Sequence, residues 1–445
     1  MTLHDRLAEV TRGAAATPLL VLFGLNFVDE LDQILFGIAT PEIRDDLGLG
    51  DGGIILIAAM VSVFVLFAVL PLTYVADRFD RVRLVFFAAL GWMSMSVLTG
   101  VAGWSGLLVL LVVARMGSGL GRTINDPVHA SLLTDYYAPD ALPRVFQVHR
   151  SANPISRVTA VVIGAGAGYI GWQAMFLVLA APTVFLIGAT MRLPHPPRGG
   201  TSGGATPLVH APPLPFREAR RTLFAIPSMR RLYFGAFLLG SGFLTLPTVS
   251  ALFFEDIYGF TPFLRGVQAF LAGVGTLTGL AYGQRLASRA IASGDLPSLA
   301  TITGLSFTAG AVGLVFMAAM PFAAGSLLFS VLAATGFSAF QPAYYPLVSM
   351  VTPAEIRTQA YGWSLILVGC GGVIGSLVVG GLAESSYRTA TVGLAVMVGL
   401  AGLAGASAVR FVAHDVTEAR RVLDADIATE VATDAAAPVP TEPDV

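Results

Sequence analysis

Apolar residues gather along this chain in runs of about twenty, separated by short breaks rich in Arg, Asp, Pro and Gly. A run of that length crosses roughly 30 Å of hydrocarbon as one helix. The pattern predicts six helices near 19–40, 54–75, 83–103, 107–134, 145–170 and 172–192, and six more near 230–254, 263–286, 297–320, 325–350, 357–382 and 387–411. Between the two sets, Pro194, Pro196, Pro197, Gly199, Gly200, Pro212, Pro213 and Pro215 mark a linker leading into a short basic segment, Phe216 to Arg221. The expected division is an N-terminal six-helix bundle over 1–192, a linker over 193–229, a C-terminal six-helix bundle over 230–412, and a disordered acidic tail over 413–445.

Composition narrows the class. The chain is 55% hydrophobic and 12% charged, too few charges to cover a soluble surface of its length. A formal net charge of −2 argues against a nucleic-acid partner. Cys370 is the one cysteine, so there is no disulfide or thiolate metal framework. The first apolar run carries Asp29, Glu30 and Asp32 and no small-residue cleavage site follows it, unlike a signal peptide. No phosphate-binding loop, nucleophile elbow or metal-ligand cluster stands out, so neither an enzyme nor a resident cofactor or metal is expected. All 26 basic residues are Arg, and their placement sets an orientation. With both termini in the cytoplasm, the outer breaks hold only Arg44, Arg265 and Arg388. The expected location is a plasma or inner membrane.

The two sets of helices echo each other. Pro139-Asp140-Ala141-Leu142-Pro143-Arg144 precedes the fifth helix, and Val351-Thr352-Pro353-Ala354-Glu355-Ile356-Arg357 precedes the eleventh. Ala76-Asp77-Arg78-Phe79 closes the second helix, and Gly283-Gln284-Arg285-Leu286 closes the eighth. Parallel repeats of this kind build transporters from two bundles that rock about a midplane site. More specifically, Asp77-Arg78-Phe79-Asp80-Arg81 resembles the signature loop of the major facilitator superfamily. Arg115, Gly119 and Gly121 resemble its helix-four pattern, and Gly171-Trp172-Gln173-Ala174-Met175-Phe176 resembles its helix-six entry. Asn26-Phe27-Val28-Asp29 is similar to the Asn-Tyr-x-Asp of the spinster-like branch. The resemblance implies the all-α major facilitator fold, with twelve transmembrane helices in two pseudo-symmetric bundles, and a monomer. For the spinster-like branch it implies lysolipids and sphingoid phosphates as substrates.

Ionisable residues at bilayer depth are costly and usually face a cavity. Here they are confined to the first half: Asp29, Glu30 and Asp32, then Arg115, Arg122 and Asp126, then Arg150 and Arg157. Arg115, Gly119, Arg122 and Asp126 share one helical face, as do Asn26, Glu30, Gln33 and Gly37, and Arg150, Asn153 and Arg157. Glu30 lies roughly 16 Å into its helix, with Arg122 and Arg157 at similar depth, so the three stripes can meet. Spinster-like proteins usually carry Arg after the helix-one Asp and Glu in helix four. This chain has Glu30 and Arg122, which suggests an ion pair of swapped polarity. The candidates for substrate and proton binding are Asn26, Asp29, Glu30, Asp32, Gln33, Arg122, Asp126 and Arg157. A carboxylate in such a cavity can take and release a proton, and Arg122 with Arg157 can clamp a carboxylate or phosphate. Arg115 reads as holding the bundle together, and Arg150 as either snorkelling or touching substrate.

Asp77, Arg81, Asp135 and Arg144 are expected at an inner gate. The resemblance implies a latch there, and Asp77 can cap the start of the eleventh helix while Arg81 pairs with Asp135. The second half offers an aromatic wall of Tyr344, Tyr345, Tyr361 and Trp363. A cavity charged on one side and apolar on the other suits an amphiphile. The expected function is secondary transport within the lipid bilayer, driven by a proton gradient, of a small amphiphilic or anionic organic solute, lysolipid-like molecules among the candidates. The alternatives are a drug or metabolite exporter, a non-transporting receptor and a passive lipid flippase. Asn153-Pro154 stands where antiporters carry Gly-Pro-x-x-Gly-Gly, which disfavours the exporter.

Overall fold

The structure, a computed structural model, describes residues 3–48, 64, 66–198, 214–243 and 246–436. The first half contains α1 (Leu3–Thr11), α2 (Thr17–Ile38), α3 (Thr40–Asp46), α4 (Leu66–Ala76), α5 (Arg81–Ser105), α6 (Leu108–Tyr136), α7 (Leu142–Arg150) and α8 (Ala152–Thr190). A linker helix, α9 (Phe216–Ala225), leads into α10 (Pro227–Phe243), α11 (Leu246–Tyr258), α12 (Pro262–Ala292), α13 (Pro297–Ala319), α14 (Ala323–Ala339), α15 (Gln341–Val351), α16 (Arg357–Ser385), α17 (Tyr387–Ser407) and α18 (Val409–Ala436). No strand occurs among the described residues. Six of these segments are long and apolar enough to cross a membrane, from Arg81–Ser105 through Tyr387–Ser407.

Local chemistry sets the breaks. Asp80 caps α5, accepting from the amides of Val82 at 2.9 Å and Arg83 at 3.2 Å. The expected fifth helix is interrupted at Ser151 because Pro154 has no N–H to bond the carbonyl of Arg150. Within α8 the expected boundary falls at Gly171, whose φ of 78° suits a residue without Cβ. The expected tenth helix is likewise two pieces, α14 and α15, meeting at Phe340 just before Pro342. The expectation of a disordered tail is corrected over residues 413–436, which are helical. Val412 and Val416 are buried, and the buried Asp415 accepts from the Ser228 amide at 2.8 Å, so the start of α18 is tied to α10. The basic segment of the linker is likewise an ordered helix, α9, with Ala219 and Leu223 buried.

Within the first half α2, α5, α6 and α8 pack on one another, and within the second half α10, α13, α14, α16 and α17 do. Glycine brings α16 against α10: a Cβ at Gly371 would meet the Phe237 carbonyl at 1.8 Å, and one at Gly375 the Ser241 carbonyl at 2.1 Å.

The cores are arranged unequally between the two ends of the molecule. One core spans both halves, joining Ala76, Leu132, Phe146 and Tyr137 to Tyr233, Leu347, Ile356 and Tyr361. At the opposite end each half keeps its own: Leu35, Ile43, Trp92, Leu111 and Phe176 in the first, and Phe253, Phe307, Phe337 and Leu394 in the second. The halves are therefore sealed together at the end where α4 meets α5, while their apolar packing is separate at the other.

Candidate functional site

The sealed end is held by charge as well as by apolar contact. The amides of Thr358 and Gln359, in the first turn of α16, donate to the Asp77 carboxylate at 3.2 and 3.0 Å. An acid from the first half thus caps a helix of the second, where the helix dipole favours it. Burial pushes the Asp77 carboxyl up to about 6, against the lowering pull of its hydrogen bonds and of Arg198 and Arg81. Beside it, Asp135 is shared by Arg81 of its own half at 2.6 Å and Arg357 of the other at 2.9 Å. Arg81 also donates to Ser131. The gate expected at Asp77, Arg81 and Asp135 therefore has its contacts, but Arg144 does not join it. Arg144 is half-buried, and its Nη1 has no hydrogen-bond partner. Its counterpart in the repeat, Arg357, reaches Asp135 instead. A mirror-image contact for Arg144 would need an acid near the end of α15, and Leu296 to Ala354 contains no charged residue.

Above this seal the buried charges of the first half fall into two groups. In one, Asp32 pairs with Arg115 at 2.9 Å and accepts from Ser96 and Ser118 at 3.3 and 3.2 Å. Arg115 also lies over the Phe36 ring at 4.3 Å. In the other, Arg150 pairs with Asp126 and lies 4.2 Å from the Tyr345 ring of the second half. Tyr345 stacks on Phe146 at 4.8 Å, so this group sits on the seam. Arg150 is buried, which rules out snorkelling to an interface. Next to it, Asn153 donates to Glu30 at 3.2 Å and accepts from Asn26, which also donates to the His149 carbonyl at 3.3 Å. His149 in turn meets His129, ring nitrogen to ring nitrogen, at 3.3 Å.

The sequence-derived candidates therefore divide. Asn26, Glu30 and Asp126 come together around Arg150 and Asn153. Asp32 does not join them, because Arg115 and two serines hold it in a separate, fully buried cluster. Asp29 is buried and lines a small cavity with Leu25, Val85, Trp92 and Gly121. Gln33 is half-buried and Arg157 exposed, with no ion pair to Arg157 among the described residues. The side chain of Arg122 lies outside the described residues, and with it the swapped pair expected with Glu30; the described partner of Glu30 is Asn153.

The aromatic wall is partly redistributed. Tyr344 donates to Ser364 at 2.5 Å, and Tyr361 to the Tyr345 carbonyl at 2.8 Å, both buried among helices. Trp363 packs on Phe216 and Phe224 of α9 rather than beside Arg150. Phe216 meets Tyr74 of α4 on its other side, so α9 bridges the two halves at the sealed end. The sequence reading passed over His129, His149 and the pairing role of Arg357. A polar residue in a membrane-spanning helix was the available signal for His129.

The profile of the Major Facilitator Superfamily matches residues 22–326. The chain is 27% identical over 174 residues to a probable L-galactonate transporter of Escherichia coli K12, covering 38% of this chain and 37% of the relative. It is 28% identical over 160 residues to a probable sulfoacetate transporter of Cupriavidus necator, covering 35% and 36%. The match thus spans little more than a third of the length of these relatives. A solved bacterial homolog of the human lysosomal transporter Spinster superposes with a TM-score of 0.55 at 19% identity, covering 89% of this chain and 97% of that one.

Proposed function

Because the chain belongs to the major facilitator superfamily, we propose that it is a proton-coupled secondary transporter of a small organic anion, working by alternating access. The observation that carries this reading is the Arg150–Asp126 pair at the seam of two halves whose cores are fused at one end only. Arg150 is the one described guanidinium that touches both a carboxylate of the first half and an aromatic ring of the second. A planar, permanently charged fork suits a carboxylate or sulfonate, and the half-exposed Asp126 is a partner an incoming anion can displace. The relatives' names, galactonate and sulfoacetate, belong to small organic anions. In this reading the sealed end faces the cytoplasm, as the arginine distribution favours. The molecule is then closed inward, and the solute enters from the outer side of a plasma or inner membrane.

A second reading, an amphiphile of the lysolipid kind, is favoured by the likeness to the Spinster homolog and by the Tyr345 ring against Arg150, with Tyr344 and then Phe340 packed behind it. One experiment separates the two. Proteoliposomes are loaded with buffer and offered labelled galactonate, sulfoacetate or a lysophospholipid, with and without an inward proton gradient. The expected outcome is gradient-dependent accumulation of an anion, falling about tenfold or more in Arg150→Gln. Equal anion uptake by Arg150→Gln removes Arg150 from the binding site, and lysolipid movement without anion uptake favours the second reading.

A further inference from the structure

We propose that His129 and His149 form a shared proton site that is charged when an anion draws Arg150 away from Asp126; this rests on the transport reading above. Both imidazoles are fully buried, one on α6 and one on α7, and their rings meet edge to face with Nδ1 of His129 3.3 Å from Nε2 of His149. Two neutral imidazoles in that geometry share one N–H between them. When His129 donates it, its Nε2 is a bare acceptor, and that nitrogen has no hydrogen-bond partner among the described residues. The pair can therefore take one further proton without moving a backbone.

Charge decides whether it does. Among the described residues, the charged groups acting on the pair are Asp126 on α6 and Arg150 on α7, and Arg150 in turn faces Glu30 on α2 and Tyr345 on α15. While Arg150 is paired with Asp126, the nearby cation opposes a second positive charge and the carboxylate is engaged. An anion that binds Arg150 neutralises it, while Asp126, three residues before His129 on the same helical face, keeps its negative charge. That carboxylate then favours an imidazolium on the pair. One proton enters with one anion, is held on the imidazole pair, and leaves when the anion does and Arg150 returns to Asp126. Glu30, bonded through Asn153 and Asn26 to the backbone of His149, ties this exchange to α2.

The test uses the full chain in lipid nanodiscs with 15N-labelled histidine, the pair being identified among the six histidines by signals lost in His129→Gln. Arg150→Gln mimics a neutralised guanidinium without any solute. The pair is expected to become imidazolium at a pH about one unit or more higher in Arg150→Gln than in wild type, while Arg150→Lys, which keeps the charge, stays near wild type. The same midpoint in Arg150→Gln and wild type overturns the proposal. In proteoliposomes, His129→Gln is expected to lose proton-driven accumulation of galactonate or sulfoacetate about tenfold more than it loses counterflow of the same anion. An equal loss of both overturns the coupling role, whereas absence of uptake of either anion by the wild type overturns the transport reading itself.

Discussion

Two aspartate–arginine pairs lie in the same half of this molecule and differ in what surrounds them. Asp32 has no exposed side-chain surface and is surrounded by Arg115, Ser96 and Ser118, all from the first half. The Asp126 side chain is 42% exposed, and its arginine lies against a ring from the second half. The first pair has every reason to stay together, since separating it leaves a charge in a low-dielectric interior. The second can exchange its partner for an incoming anion, because water already reaches the carboxylate. Exposure, rather than the presence of an ion pair, separates a charge that holds the bundle from one that can work in it.

The largest effect that would break this distinction is at Arg115. Arg115→Ala strands Asp32 with two hydroxyls, and the expected cost is about 3–5 kcal/mol of stability. It should appear as a lowered melting temperature and reduced folded yield, with transport per folded molecule retained. A stable Arg115→Ala protein with abolished transport would place Arg115 in the working site and erase the contrast with Arg150.

The next test asks what happens to a pair that is buried in only one state. Asp135 keeps Arg81 when Arg357 is removed, so no unpaired charge is left within the first half. Arg357→Ala should therefore cost the sealed state about 1.5–3 kcal/mol, a loss felt in the balance of states more than in folding. Spin labels on the sealed ends of α5 and α16 should report a longer distance in a larger share of molecules. A fall in melting temperature as large as that of Arg115→Ala, with no change in the distance distribution, would class Asp135 with Asp32.

Much of this was legible in the chain. Apolar run length gave the helices, and the Asp77-to-Arg81 loop together with the Pro-and-Arg segments before the fifth and eleventh helices pointed to the sealed end. The loop motif could not reveal that Arg357 and not Arg144 would reach Asp135, because the repeat is symmetric in sequence while the acid sits on one side only. Helical spacing grouped Asn26 with Glu30 and Arg150 with Asn153, yet it could not distinguish Asp32 from Asp126. That difference depends on Ser96 and Ser118 arriving from two other helices. The histidines were hidden for a related reason: His129 and His149 lie on different helices, each beside charged residues that draw the eye first, and only the packing of α6 on α7 makes them a pair. The helical part of the tail escaped because its acidic composition outweighed the two buried valines that fix its start.

The smallest effect concerns pH at the seal. In the sealed state burial holds the Asp77 carboxyl near 6, whereas in a state where α16 has moved away water restores it toward 3.8. The sealed state is therefore the one that takes the proton more readily. Well above pH 6 the carboxylate is charged in both states, and the sealed one bears the whole cost of burying it. As the pH falls from 6 toward 4, the sealed state gains a proton first and is favoured over the open one. Between pH 7 and pH 5 the ratio of sealed to open molecules should rise about tenfold, or ~1.4 kcal/mol. Asp77→Asn should flatten that dependence, since an amide still accepts from the α16 amides but does not titrate in this range. The same spin-label pair measures it. An open fraction that grows on acidification, or a wild-type slope that persists in Asp77→Asn, would mean that another group sets the balance. Asp77 would then be, like Asp32, a charge whose surroundings do not change between states.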